Sequence, residues 1–181
     1  MGQSKQLLLL DGKPIIRHCI DNIITADIDE IIVVLGRDNE ELLKTLRELP
    51  VKAVFNEEPG SDMAGSVRIG LKAVNPCASG VLVSLSDHPL ISKETIKNLL
   101  RLYSEAPDKI IIPVYKEKRG HPTLFPMHVI DEIFIGGTLK DVVNRDPERS
   151  KTVEVMDEGV IIDIDTMEDY ERAVEKFAHS L

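Results

Sequence analysis

Five places in the 181-residue sequence bring together residue types that can do chemistry. In residues 82–92 (LVSLSDHPLIS), Asp87 ends an apolar run and precedes His88 and Pro89. A carboxylate at the end of a buried strand can hold a cation; equally, Asp can simply begin a turn. In residues 159–173 (GVIIDIDTMEDYERA), Asp163 and Asp165 alternate with Ile162 and Ile164, so strand geometry would put both acids on one face. Two such carboxylates repel unless a cation lies between them. An N-cap role for Asp165 or Thr166 explains one acid and not both. In residues 57–73 (EEPGSDMAGSVRIGLKA), three glycines flank a helix start, where backbone N–H groups favour a phosphate or a polar base edge. The Gly60–Gly65 spacing approaches a P-loop, but Ser66 and Val67 stand where Lys and Ser/Thr are required, which excludes a Walker A site. In residues 116–125 (KEKRGHPTLF), His121 rides on an extended excursion as a ligand, a phosphate contact or a bystander, the commonest role of a lone loop histidine. Lys5, near the start, is unremarkable on composition.

The elements that must position these groups alternate. Residues 31–35 (IIVVL), 51–55, 81–85 and 109–115 (KIIIPVY) read as short apolar strands, and residues 160–165 as a late one. Helices are expected over 39–49, 66–74, 92–103 and 166–178, the last opened by Thr166 with Asp169 as a capping pair. Nearly all-apolar strands separated by helices imply a parallel sheet covered on both faces, an open doubly wound α/β domain. Ligands of such sheets bind beyond the carboxyl ends of the strands, which singles out Gly36, Asn56, Asp87, the loop after Tyr115, and Asp165.

Composition narrows the partners. Thirty-one acidic against 22 basic residues give a net charge of −9, and no Lys/Arg cluster offers the basic face that nucleic acid requires. Phosphorylated small molecules remain compatible where Mg²⁺ carries the charge. Cys19 and Cys77 form no CxxC, so neither a disulfide framework nor a zinc site is indicated. The four leucines at 7–10 are too few for a signal-peptide core or a membrane span, and a cytoplasmic location is expected. One domain over residues 1–181 is expected, with an aliphatic core, since Trp is absent.

Taken in order, these segments resemble the molybdenum-cofactor nucleotidyltransferase family (MobA/MocA-like). Met1-Gly2-Gln3-Ser4-Lys5 is similar to the tail of its signature LAAGxSxRMGxxK, and LLLDGKPII at 8–16 to the stretch that comes after that signature. Asn56 with MAGSVRIGL at 63–71 is similar to the segment that approaches the base, SDHP at 86–89 to the family's GDQP, RGHPTLF at 119–125 to the RGHP segment of the cytidylyltransferase branch, and DIDTMED at 163–169 to DIDTPED. Ser86 stands for Gly, His88 for Gln, Asp62 for Gly and Met167 for Pro.

The resemblance implies a three-layer α/β/α Rossmann-like nucleotidyltransferase fold with a mostly parallel sheet. It implies Mg²⁺-dependent transfer of CMP from CTP to the phosphate of molybdopterin or its metal-loaded form, with pyrophosphate leaving. Asp87 would bind Mg²⁺ with Asp165 or Asp163, Lys5 would neutralise phosphate charge, Asn56 and Ser66 would sit near base or ribose, and Arg119 and His121 would face the acceptor. Nucleic acid and membrane are not expected as partners; a homodimer is left open. The alternatives are guanylyl transfer to molybdopterin, another acceptor such as a sugar phosphate or methylerythritol phosphate, and a nucleotide-binding module without catalysis. The family's opening strand and Gly-rich loop have no counterpart here, and Met1 falls where relatives have an internal Met. The expectation is a shortened chain in which strands 31–35 and 81–85 face each other across an empty lane, unless residues 6–10 supply a substitute strand.

Overall fold

Apolar β-branched runs and amphipathic stretches alternate along the chain, and most become a strand or a helix in the computed structural model, which describes residues 4–37 and 39–179. A 3₁₀ turn at Lys5–Leu7 leads into a small antiparallel hairpin, β1 (Leu9–Leu10) and β2 (Lys13–Pro14), turned by Asp11 and Gly12, both at positive φ. Then follow α1 (Ile15–Ile24), β3 (Ile32–Gly36), α2 (Glu40–Leu46), β4 (Lys52–Asn56), α3 (Met63–Ala73), β5 (Gly80–Val83), α4 (Lys93–Glu105) and β6 (Ile110–Tyr115). The hairpin strand β7 (Lys118–Arg119), then β8 (Thr123–Pro126), α5 (Met127–Ile130), α6 (Leu139–Asn144), β9 (Ser150–Glu154) and α7 (Met167–His179) complete the chain.

The strands form two separate ladders beside the hairpin. β3 and β4 pair in parallel, in register from Ile32↔Lys52 to Gly36↔Asn56. β5 pairs antiparallel with β8, β8 with β6, and β9 joins β6 in parallel. Strand alternation sends side chains to two helical layers. On one face Ile110, Ile112 and Phe125 pack with Ala64 and Leu71 of α3 and with Val129 and Ile130. On the other, Ile111 and Leu124 meet Leu99 and Tyr103 of α4, and Leu35 meets Ile16 and Ile20 of α1 and Leu42 and Leu46 of α2. Each fully buried Leu or Ile contributes about 1.5–3 kcal/mol. This is the expected three-layer α/β/α fold.

Residues 160–165 are not a strand. Glu158–Ile161 forms a 3₁₀ turn capped by Asp157, whose Oδ1 accepts from Gly159 N–H at 2.9 Å. Ile162 is extended, and Ile162 to Ile164 has no ladder partner among the described residues. Residues 6–10, expected as an alternative strand, join neither ladder: they divide between the first 3₁₀ turn and the hairpin. Thr166 and Asp169 do cap α7 reciprocally, Thr166 N–H donating to Asp169 at 2.9 Å and Asp169 N–H to Thr166 Oγ at 3.1 Å.

Candidate active site

Asp87 lies just past β5, at its carboxyl end. Two contacts bring the late acidic segment to it. Ile164 N–H donates to the Asp87 carbonyl at 3.0 Å, and His121 N–H donates to the Val160 carbonyl at 2.8 Å. Both approaches depend on glycine. A Cβ on Gly159 would fall 2.3 Å from the Leu90 carbonyl oxygen, and one on Gly120 would fall 2.4 Å from that of Val160. Backbone cannot yield to such contacts as a flexible side chain would, so these two glycines let three loops close on one point.

Lys5 stands at that point. Its ammonium donates to Asp87 Oδ2 at 2.8 Å and to Asp165 Oδ1 at 2.6 Å. Burial works to lower the Lys5 pKa, but the hydrogen bonds to Asp165 and Asp87 outweigh it and hold it above the ordinary lysine value. The same Lys5 contact holds the exposed Asp165 carboxyl below its usual range. Asp163 lies beside Asp165, and its charge reaches both His88 and His121. Those rings meet edge to face, centroids 5.5 Å apart, and burial lowers both their pKa values. His88 Nε2 is 3.9 Å from Asp87 Oδ1.

Three buried polar atoms of this cluster have no hydrogen-bond partner among the described residues: Asp87 Oδ1, His88 Nδ1 and His121 Nδ1. Buried polar groups are nearly always paired, so three orphans together mark a place built for something else to bind. Cys19 also lies near, but burial first, and then the Asp87 charge, push its thiol up to about 12, which leaves it protonated and not a nucleophile.

Asn56 and Ser66 form a second group at the end of β4. Asn56 is buried; its amide donates to Ser66 Oγ at 3.2 Å and its Oδ1 accepts from Glu58 N–H at 3.1 Å. Ser66 lines the same cavity as Ser86, and Gln6 reaches Ser86 Oγ at 3.4 Å, so this group opens toward the Lys5 cluster. The start of α3 is less open to phosphate than its glycines suggest. Asp62 caps it, accepting from Gly65 N–H at 2.7 Å, and places a carboxylate where an anion would sit. Arg119 is exposed on β7, and no hydrogen bond or ion pair joins it to the cluster among the described residues. His88 is a member of the cluster that sequence reasoning does not single out; its adjacency to Asp87 is the available signal.

Over 98 residues the chain is 36% identical to the bifunctional protein GlmU of Symbiobacterium thermophilum, a match covering 54% of this chain and 20% of that protein. Over 111 residues it is 33% identical to the 2-C-methyl-D-erythritol 4-phosphate cytidylyltransferase of Clostridium acetobutylicum, covering 58% and 47%. The matched region therefore spans less than half of either relative. Among solved structures, Rv0371c from Mycobacterium tuberculosis superposes with a TM-score of 0.81 at 26% identity, over 97% of this chain and 90% of that one. Its complex with manganese gives 0.78 at 25%, over 96% and 93%. Residues 1–139 match the MobA-like NTP transferase domain, and the chain belongs to that family.

Proposed function

We propose that this chain is a nucleotidyltransferase that moves CMP from CTP to the phosphate of a phosphorylated acceptor, with the terminal phosphate of molybdopterin or its metal-loaded form as that acceptor. The observation that carries the reading is the Lys5 ammonium held between Asp87 and Asp165, residues drawn from three distant parts of the sequence to the end of one strand. In the reaction an acceptor phosphate oxygen forms a bond to the α-phosphorus, the bond from that phosphorus to the bridging oxygen breaks, and pyrophosphate leaves. Such chemistry needs positioning and charge neutralisation more than a covalent intermediate.

The residues suit a hard divalent cation that keeps most of its ligands from water and phosphate. Asp87 Oδ1 is buried and without a hydrogen-bond partner among the described residues, and Asp165 reaches the same ammonium as Asp87. No group of three or more His, Cys, Asp or Glu forms a metal cage among the described residues, and Mg²⁺ commonly takes only one or two carboxylates. Asp87 and Asp165, with Asp163 beside them, would hold the ion, which when bound neutralises charge on the triphosphate. Likeness to Rv0371c, solved with manganese, supports a divalent metal.

Lys5, released from the carboxylates, stabilises the departing pyrophosphate. Asn56 and Ser66 bind base or ribose. His121 and Arg119 face the acceptor, the neutral His121 ring offering a hydrogen bond without a charge. Similarity to the methylerythritol phosphate enzyme favours a second reading in which the acceptor is a different phosphorylated alcohol. Pyrophosphate release measured across CTP, GTP and ATP, each with molybdopterin and with methylerythritol phosphate, separates these. Preference for CTP with molybdopterin supports the proposal. Preference for GTP moves the chain to guanylyl transfer, and release only with methylerythritol phosphate moves it to the second reading.

A further inference from the structure

Three carboxylates gather around one ammonium. Lys5 Nζ lies 2.8 Å from Asp87 Oδ2 and 2.6 Å from Asp165 Oδ1, and Asp163 lies beside Asp165. Like charges brought to one point repel unless a cation sits between them. Here the chain supplies that cation itself. Asp87 Oδ1, the oxygen that Lys5 leaves alone, is buried and has no hydrogen-bond partner among the described residues. The ammonium thus pairs half of the Asp87 carboxylate and leaves the other half unpaired, which is an incomplete arrangement for a bridge that only holds the fold together.

The backbone behind that ammonium is anchored, and the arm that carries it can turn. Leu7 N–H donates to the Ser4 carbonyl at 2.9 Å and Leu8 N–H to the Lys5 carbonyl at 3.2 Å, which closes the 3₁₀ turn, and Leu7 packs with Ile16 and Ile20 of α1. Gln6 Nε2 donates to Ser86 Oγ at 3.4 Å and ties the turn to the loop that carries Asp87. From this anchor the lysine ends in a compact point charge on a flexible four-carbon stem, with no fixed fork geometry to satisfy. It can exchange one set of oxygens for another without moving the turn. The Lys5 side chain is 28% exposed, so a way out to solvent is already open.

A divalent cation at Asp87 and Asp165 needs the oxygens that Lys5 holds, and its charge repels the ammonium beside it. We infer that Lys5 is an internal competitor for that cation: it bridges Asp87 and Asp165 when no divalent ion is bound, and has to release both for one to bind. The inference rests on the divalent-cation reading of these two acids proposed above, and not on the identity of the nucleotide or the acceptor. A competitor docked in about nine molecules of ten weakens the apparent affinity about tenfold. The same linkage orders the site. A ligand that takes up the freed ammonium, such as a triphosphate, tightens binding of the cation, and the cation tightens binding of that ligand by the same factor. Metal alone is therefore held weakly, and metal with nucleotide tightly.

The test has two readouts, neither of them turnover. Mn²⁺ binding without nucleotide is followed by electron paramagnetic resonance of the free ion for the unaltered chain, Lys5→Met and Lys13→Met. Lys13 pairs with Asp21 at 2.9 Å, so its loss changes the net charge equally and leaves the three acids alone. Lys5→Met is expected to bind Mn²⁺ about tenfold or more tightly than both others. The second readout needs no substitution: lysine acetylation at limiting reagent, read by mass spectrometry with and without Mn²⁺. The ion should speed acetylation of Lys5 several-fold and leave that of Lys13 unchanged. Equal Mn²⁺ affinity in the three proteins overturns the inference. So does tighter binding in Lys5→Met while Lys5 acetylation ignores Mn²⁺, since the gain is then one of charge alone. If Lys5→Met does not fold, acetylation decides by itself. No Mn²⁺ bound by any of the three overturns the inference together with the divalent-cation reading. Both expected results without pyrophosphate release from any nucleotide support the inference and sink the proposed transfer alone.

Discussion

The Lys5 ammonium lies 2.6 Å from Asp165 Oδ1, across 160 residues of sequence. Lys5 is a third exposed or less and Asp165 mostly exposed, so solvent screens the pair and it adds little to stability. Its value is positional. Lys5→Met is expected to lower kcat/KM by about 10²–10³, the usual effect of removing one group that meets developing charge, while the melting temperature moves by only a few degrees. Steady-state kinetics beside thermal melting checks this; an active Lys5→Met enzyme would remove Lys5 from the site.

Asp87→Asn keeps the shape of the side chain and removes its charge. Turnover is expected to fall by about a hundredfold or more while circular dichroism is unchanged. Raising Mg²⁺ should recover only a small part of the loss. Full activity in this variant would leave the cluster without its metal-binding role.

Ser66→Ala removes the hydroxyl that accepts from Asn56. About 1 kcal/mol of binding is at stake, which corresponds to a roughly fivefold rise in KM for the nucleotide with kcat unchanged. A fall in kcat at constant KM would instead place Ser66 at the reacting phosphate.

Gly159→Ala tests how the loops close. Its new methyl would meet the Leu90 backbone at 2.3 Å, so the acidic segment must shift away from Asp87. The expected outcome is a destabilisation of about 1–3 kcal/mol in denaturant melts, accompanied by lost activity. Wild-type stability would show that the segment has room to spare.

Glu132 gives a pH prediction remote from the site. Arg149, then Arg145, hold its carboxyl below the ordinary glutamate value of 4.5. A depressed acid contributes stability that is complete above the unfolded value and is lost as pH falls through the folded one. The stability difference between wild type and Glu132→Gln should therefore be constant above about pH 5 and shrink as pH drops below 4.5. A difference that does not change with pH would mean that the arginines act on Glu132 by packing alone.

How much of the fold is readable from the sequence depends on which forces are local. Apolar strands with a helix after each, such as residues 31–35, announce themselves because burial on both faces removes polar residues. β9 is silent because Ser150–Glu154 is a largely exposed strand whose polar side chains carry no period. Residues 160–165 mislead because period-two alternation is common to any extended segment, whether or not a ladder forms. Here Asp157 decides the outcome, capping the turn at Gly159 and accepting from Ser92 N–H and the Thr95 hydroxyl. Asp87, Asp163 and Asp165 are visible as acids at the ends of apolar runs. That Lys5 joins Asp87 to Asp165 and that His88 packs on His121 are long-range contacts with no local signature.

The most direct measurement of the central claim is pyrophosphate release from CTP with molybdopterin and Mg²⁺, run on wild type and Asp87→Asn side by side. The account predicts release that requires both acceptor and metal and drops by about a hundredfold or more in Asp87→Asn. Release indifferent to Asp87, or none from any nucleotide, would contradict it.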